Sequence, residues 1–427
     1  MRLIDELEWR GLVHQVTADE LGDRLEAGPI TLYIGFDPTG PSLHVGHLVP
    51  IVLLRHFQQR GHRVIALTGG GTGLIGDPSG KSAERNLLDR AQVDANAQRI
   101  GGQLLRLLVD PGNPPLHADN IEWLEPMGLL EFLRDVGKHF AVNAMIAKDS
   151  VRLRLEREGE GISFTEFSYA LLQARDFLEL HRRYDCILQC GASDQWGNIV
   201  GGTDLIRRVT GGRAFGLTVP LLTDAEGNKF GKTEGGTSCF LDPAMTSPFK
   251  FYQFWINADD ADVVRLLKLF TFLERERIEG LAAAVGSPAR EAQKALAFAV
   301  TAFVHGAEEA DKAVKASEVL FGGDLEGVPV ATLREIFADV PSISMAAERL
   351  NGAGASLVDL LVEVGACPSK SDARRQLGQG AIRLNGQPAA SGTAGADPTV
   401  TRADFLDQSV LVIRRGKRNT FLVKLEG

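Results

Sequence analysis

His44 and His47 stand three residues apart just after an Asp-Pro-Thr-Gly turn at residues 37–40, in surroundings suited to an anion. The run from Thr31 to Phe36 is rich in β-formers and breaks at Asp37-Pro38. Ser42 is the N-cap candidate for a helix over 44–59, which puts both imidazoles on one face of its first turns. Helix-start amides have no internal partners and the dipole is positive there, so the favoured guest is a phosphate. Three further stretches carry polar groups of matching kinds. In the helix opening at Ser163, Tyr169, Gln173 and Asp176 recur at i, i+4 and i+7. A solvated face usually carries Lys and Glu, whereas these three suit fixed hydrogen bonds. After a strand ending at Gln189, the loop GASDQWGN offers Asp194, Gln195, Trp196 and Asn198; Asp194 fits a ribose or, structurally, the start of a turn. Finally, Lys229 and Lys232, followed by Thr233, lie in a glycine-containing loop that could neutralise a polyphosphate, although such pairs are often only solvent-facing charges.

Residues 69–82, GGGTGLIGDPSGKS, hold a literal G-x-G-x-x-G at Gly71, Gly73 and Gly76. A dinucleotide fingerprint needs a helix next, and Asp77-Pro78 follows instead. Gly80-Lys81-Ser82 resembles a P-loop ending, but Gly76 is one residue too close. A mobile loop presenting Lys81 and Arg85 to a phosphate chain accounts for the residues better.

These motifs need a frame. Strands are expected at 31–36, 63–68, 184–189 and 217–222, with helices near 44–59, 92–108, 128–147 and 164–180. Such alternation argues for an α/β, Rossmann-like parallel sheet, whose ligands sit beyond the strands' carboxyl ends. The expected domains are a catalytic one over 1–246, an all-α one over 247–321, a linker region over 322–355 and a small α+β domain over 356–427. Of 427 residues, 44% are apolar and 24% charged, as in ordinary soluble proteins. No apolar run approaches the ~18 residues of a membrane span. Four cysteines without a C-x-x-C pair and an acidic N-terminus point to the cytoplasm. The net charge is −9, yet residues 356–427 carry ten basic against seven acidic side chains, so this tail is +3 on a body of −12. That asymmetry points to a nucleic-acid partner for the tail.

Taken together, HVGH at 44–47, SDQWGN at 193–198 and KFGKT at 229–233 resemble the bacterial type of tyrosyl-tRNA synthetase, a class I aminoacyl-tRNA synthetase. FDPTGPSLHVGH, TGLIGDPSGK, DVGKHF and GISFTEFSYALLQARDF extend the likeness. The stretch LVEVGACPSKSDARRQLGQGAIRLNGQ resembles the RNA-binding module named after small-ribosomal-subunit protein S-four. The resemblance implies that Tyr33 and Asp176 bracket a tyrosine hydroxyl. It gives the ammonium to Tyr169, Gln173 and Asp77, with Gln195 near the carboxylate. Thr39 and His44 would hold the ATP phosphates, His47 and Asp194 the ribose, with Gly35 and Asp37 also in the ATP site. Lys81, Arg85, Lys229, Lys232 and Thr233 would act on the departing pyrophosphate. Lys370, Arg374, Arg375 and Arg383 would bind RNA. ATP with Mg2+, L-tyrosine and tRNA(Tyr) are the implied substrates and partners, and the family works as a homodimer.

Three positions depart from the family pattern. Ile34 stands where some relatives place a cysteine toward the ribose, Ala192 replaces a glycine, and Pro50 should kink or loosen the helix after His47. The alternatives are a tryptophanyl-type synthetase, an NAD-dependent oxidoreductase resting on the three glycines, and a non-catalytic RNA-binding scaffold. The tryptophanyl enzyme has no use for a Tyr33–Asp176 pair. The oxidoreductase leaves His44, the lysines and the basic tail unexplained, and intact phosphate-binding residues argue against the scaffold.

Overall fold

The computed structural model describes residues 1–79, 88–148, 151–152, 155, 161–222, 238–320, 323, 325, 328–338, 340–390, 397–416 and 419–426. Its contacts divide the chain into two units. One comprises Met1–Ser247 with Phe254–Val304, the other Pro248–Gln253 with His305–Gly427.

The first unit is built on a sheet of β1 (Gln15–Val16), β2 (Thr31–Phe36), β3 (Arg63–Thr68), β4 (Leu116–Asp119), β5 (Cys186–Ala192) and β6 (Phe215–Val219). Their spatial order is β1-β6-β5-β2-β3-β4, all parallel except the β1–β6 pair. Strands β2, β3 and β6 are near-continuous buried runs, as expected of a parallel sheet covered on both faces. From β2 the chain passes to β3 and β4 on one side and then returns to β5 on the other. The crevice where that direction reverses lies beyond the carboxyl ends of β2 and β5, where open α/β sheets place their ligands.

Local chemistry moves the first helix. His44 caps a 3-10 turn, Val45–His47, and the α-helix itself is Leu48–Gln59. Ser42 is not its cap; its hydroxyl donates to the Leu43 carbonyl at 2.7 Å. Pro50 is therefore the third residue of the α-helix, where an amide has no intrahelical acceptor, so its missing N–H costs nothing and no kink is required. The helix expected over 128–147 is three pieces, Leu129–Asp135, a 3-10 turn at Gly137–His139 and Val142–Ile146. The helix Phe164–Tyr184 starts at Ser163, whose hydroxyl accepts from the Glu166 amide.

The helical region expected as one domain over 247–321 is shared between the units. In the first, Val263–Phe270 and Arg275–Ala283 are anchored by the buried Arg10, which donates to the carbonyls of Thr271 at 2.9 Å and Leu273 at 2.8 Å. In the second, Ala307–Leu320 and Val330–Ile336 belong to the core of the tail.

That second unit holds β7 (Ser342–Ala346), a small β8 (Ala355–Ser356), β9 (Ile382–Leu384), β10 (Gln387–Pro388), β11 (Thr399–Val400), β12 (Val410–Arg415) and β13 (Asn419–Glu426). Five of them make a sheet of order β10-β9-β12-β13-β7. Alternation along β12 buries both its faces. Leu411 and Ile413 pack with Leu357, Leu361 and Leu377, while Val410 and Val412 pack with Ala316, Val319, Leu333 and Ile336. The stretch 322–355 is thus not a simple linker: Val330–Ile336 is helical and β7 runs parallel to β13, with Met345 1% exposed.

Candidate active site

A cavity of about 280 Å³ opens where β2 and β5 end. Of the expected residues, Tyr33, Gly35, Asp37, Thr39, His47, Asp77, Tyr169, Gln173, Asp176, Asp194 and Gln195 line it, as do Ile34, Pro50 and Ala192. His44 is not among the lining residues and stacks on His47 instead, with ring centroids 4.0 Å apart. Lys81, Arg85, Lys229, Lys232 and Thr233 lie outside the described residues. Residues 239–241 lie beside His44, because Val45 N donates to Cys239 O at 2.9 Å and Leu241 N to Leu43 O at 2.8 Å.

One end of the cavity is set by Asp176, 2% exposed. Its two oxygens accept from Trp123 Nε1 at 2.8 Å and Asn120 Nδ2 at 2.9 Å. Burial pushes this carboxyl up to about 7, against the pull of those two donors. Tyr33, facing the cavity from β2, is 1% exposed, and its hydroxyl has no hydrogen-bond partner among the described residues. Burial raises it well above the ordinary phenol range, so it stays a neutral O–H. A carboxylate and an unpartnered phenol on one wall are fitted to a hydroxyl that donates to the first and accepts from the second.

The middle of the cavity is acceptor-rich. Tyr169 donates its proton to Asp37 Oδ2 at 2.8 Å, and Asp37 Oδ1 accepts from Thr72 Oγ1 at 2.7 Å. Asp77 accepts from Gln195 Nε2 at 2.7 Å and from the Ser79 amide at 2.9 Å. Asn198 Nδ2 reaches Gln173 Oε1 at 3.1 Å and Gln195 Oε1 at 3.3 Å. Carboxylates and oxygen lone pairs so gathered suit a cation with several N–H groups.

His47, with the His44 ring against it, belongs to the other polar set of the cavity. His44 Nδ1 accepts from Gly46 N, and His47 Nδ1 accepts from His44 N, both at 3.1 Å. Burial lowers both imidazoles, His47 down to about 3. A neutral ring whose Nδ1 accepts carries its proton on Nε2, so both are hydrogen-bond donors rather than cations. The glycine run serves close approach. A Cβ at Gly69 would sit 2.1 Å from Asp37 Oδ1, one at Gly70 2.4 Å from Asp119 Oδ1, and one at Gly73 2.9 Å from Pro38. Residues 69–73 are buried, so this part of the expected mobile loop is a packed turn holding Asp37 and Asn120.

Sequence reasoning missed Asn120 and Trp123, and gave no role to Thr72 or Asn198 although both lie in the stretches GGGTGLIGDPSGKS and GASDQWGN. Asn120 and Trp123 follow β4, a four-residue strand with no periodicity to announce it.

In the second unit, Lys370, Arg374 and Arg375 lie on the helix Lys370–Gly378 and Arg383 on β9. The exposed Lys370 pairs with Asp359 at 2.7 Å, the exposed Arg374 with Asp397 at 2.7 Å and the exposed Arg375 with Asp372. Arg414, which the sequence counts among the tail's charges, is buried and donates to Val319 O at 2.7 Å and Gly323 O at 2.9 Å.

Residues 25–322 match the family model of class I tRNA synthetases for tryptophan and tyrosine. Residues 332–423 match the C-terminal domain of tyrosine–tRNA ligases. A tyrosine–tRNA ligase of Opitutus terrae is 51% identical over the whole of both chains, and one of Geobacillus stearothermophilus is 50% identical over 99% of this chain and 100% of its own. A C-terminally truncated mitochondrial tyrosyl-tRNA synthetase of Aspergillus nidulans aligns with a TM-score of 0.68 at 33% identity, covering 75% of this chain and 94% of that one. Matched along almost its full length, the chain belongs to the tyrosine–tRNA ligase family of class I aminoacyl-tRNA synthetases.

Proposed function

We propose that this enzyme activates L-tyrosine with ATP, forming tyrosyl-adenylate and pyrophosphate, and then transfers the tyrosyl group to the 3′ end of tRNA(Tyr). The observation that carries the specificity is the facing pair of Asp176, held by two donors, and the unpartnered hydroxyl of Tyr33. The substrate phenol donates to Asp176 and accepts from Tyr33. Phenylalanine would leave both groups buried and unpaired, an argument made generally for tyrosyl-tRNA synthetases. Tryptophan has no hydroxyl to satisfy both groups.

The ammonium sits among Tyr169, Gln173 and Asp77, which leaves the carboxylate toward Gln195. That carboxylate is already ionised, so its attack needs no base: an oxygen–phosphorus bond forms at the α-phosphorus and the bond to pyrophosphate breaks. The protein's task is alignment and charge stabilisation. His44 and Thr39 act on the phosphates, His47 and Asp194 on the ribose, and Gly35 lets the nucleotide lie close to β2. Lys81, Arg85, Lys229, Lys232 and Thr233 act on the leaving pyrophosphate. Mg2+ brought with ATP would supply further charge neutralisation on the phosphates.

Residues 356–427 would bind RNA through Lys370, Arg374, Arg375 and Arg383, with the helical residues 247–321 toward the anticodon arm. A homodimer is supported by exposed apolar side chains, Leu129 at 73%, Leu130 at 81%, Val142 at 57% and Phe164 at 77% exposure, which a monomer would leave in water. The cytoplasm suits four buried, unpaired cysteines.

The test is pyrophosphate exchange into ATP with tyrosine, tryptophan and phenylalanine supplied separately. Exchange with tyrosine alone is expected. Exchange with none would end the ligase reading, and exchange with tryptophan alone would move it to the sister enzyme.

A further inference from the structure

We propose that Thr72 and Asn120 are positioning residues that set the direction of hydrogen bonding at both ends of the amino-acid site. The inference rests on the tyrosine-site reading above and names what orders that site. Asn120 is 1% exposed, and its amide is fully engaged. Its Oδ1 accepts from Gly71 N at 2.7 Å, an interaction only an oxygen can make, so the amide cannot be turned over. Its two Nδ2 protons therefore go to Thr72 Oγ1 and Asp176 Oδ2, each at 2.9 Å.

Proton counting then runs along the chain of contacts. Thr72 Oγ1 receives a proton from Asn120, so its own proton points to Asp37 Oδ1 at 2.7 Å. Asp37 Oδ2 takes the proton of Tyr169 at 2.8 Å. Tyr169 is thereby left with only lone pairs toward the cavity, the polarity an ammonium requires. At the far end, Asp176 has both oxygens engaged by donors and keeps lone pairs for a phenol proton. One amide and one hydroxyl thus write acceptor character at two places that read different ends of one ligand. The glycine run allows it. A Cβ at Gly69 would lie 2.4 Å from Thr72 Oγ1, and one at Gly71 would lie 2.9 Å from Leu124 and 3.2 Å from Asn120 Oδ1.

The test is Thr72→Val, which keeps the shape and removes the hydroxyl, with Thr72→Ser as the restoring variant. Exchange kinetics should show the KM for tyrosine rising about tenfold, the loss of one buried charge-assisted hydrogen bond, while the KM for ATP stays within about twofold. Thr72→Ser should return the tyrosine KM to near the parent value. In the double variant Thr72→Val/Tyr169→Phe, the tyrosine KM should be no more than about twofold above that of Tyr169→Phe alone, because Thr72 acts through Asp37 on Tyr169. Unchanged tyrosine KM in Thr72→Val, additive effects in the double variant, or an equal rise in both KM values that Thr72→Ser does not restore would each overturn the proposal. If the parent enzyme itself showed no tyrosine exchange, the site reading would fail first, and separately.

Discussion

The cleft of the first unit and the basic face of the second use the same currency of donors and acceptors in opposite ways. In the cleft, three carboxylates are each held by specific donors. Asp176 meets Trp123 and Asn120, Asp37 meets Thr72 and Tyr169, and Asp77 meets Gln195. On the helix Lys370–Gly378 the charges are exposed and each is paired with a nearby carboxylate that it can release at little cost. Burial makes a wrong partner expensive, which suits a site that must reject an amino acid lacking one hydroxyl. Exposure makes partners exchangeable, which would suit the phosphate-backbone contact proposed for this tail. On that proposal, perturbing the two regions should give different kinds of loss.

The sharpest separation should come from Asp176→Asn. The amide replaces one acceptor oxygen with an NH2, so either Trp123 Nε1 or Asn120 Nδ2 faces a donor, and the charge that received the phenol proton is gone. Adding a lost charged hydrogen bond to a buried unpaired donor gives about a thousandfold fall in kcat/KM for tyrosine. The KM for ATP should remain within about twofold, as measured by exchange kinetics. An equal loss for both substrates would mean that Asp176 holds the fold of the whole cleft rather than reading the amino acid.

Next in size is a pH effect confined to the amino-acid end. Burial holds Asp176 up to about 7, so below that value the empty site is increasingly protonated and cannot accept the phenol proton. The tyrosine KM should climb about tenfold for each pH unit below 7 and level off above it. The ATP KM should not follow, because His47 is pushed down to about 3 and stays neutral throughout. The stability of the empty protein runs the other way. A carboxyl raised above its unfolded value favours folding at low pH, and that contribution fades as pH rises through about 7. Thermal melts with and without tyrosine across pH 5.5–8.5 should therefore diverge most at the alkaline end.

The two regions also differed in how far the amino-acid sequence disclosed them. The stripe Tyr169, Gln173, Asp176 was legible because a helix repeats its faces, and β2 and β3 match expectation because buried parallel strands are continuous apolar runs. Asn120 and Trp123 escaped because their roles arise where a four-residue strand ends against a helix distant in sequence. Arg414 belongs to the tail's charge count, but its burial escaped for a related reason. Its neighbours on β12 alternate like any strand, and nothing local shows that Val319 and Gly323 supply carbonyls to bury its charge. Ser42 was a reasonable cap by type, but His44 competes for the same duty with a ring nitrogen. Periodic features depend on neighbours in sequence and can be read there. Relays depend on contacts that only the fold creates.

The smallest effect tests the exposed side of the contrast. Arg383 lies on β9, exposed, and its guanidinium donates only locally, to Gly386 O at 3.2 Å. If it meets one phosphate, Arg383→Ala should raise the tRNA KM in the charging reaction only about threefold to fivefold and lower the salt slope of tRNA binding by about one. Adenylate formation should be untouched, since this residue does not line the cleft proposed for tyrosine and ATP. Combining it with Arg374→Ala should multiply the two losses, because separate, solvated contacts act independently. A single substitution here that abolished charging would imply a buried, directional contact of the cleft's kind, and the contrast between the two regions would have to be abandoned.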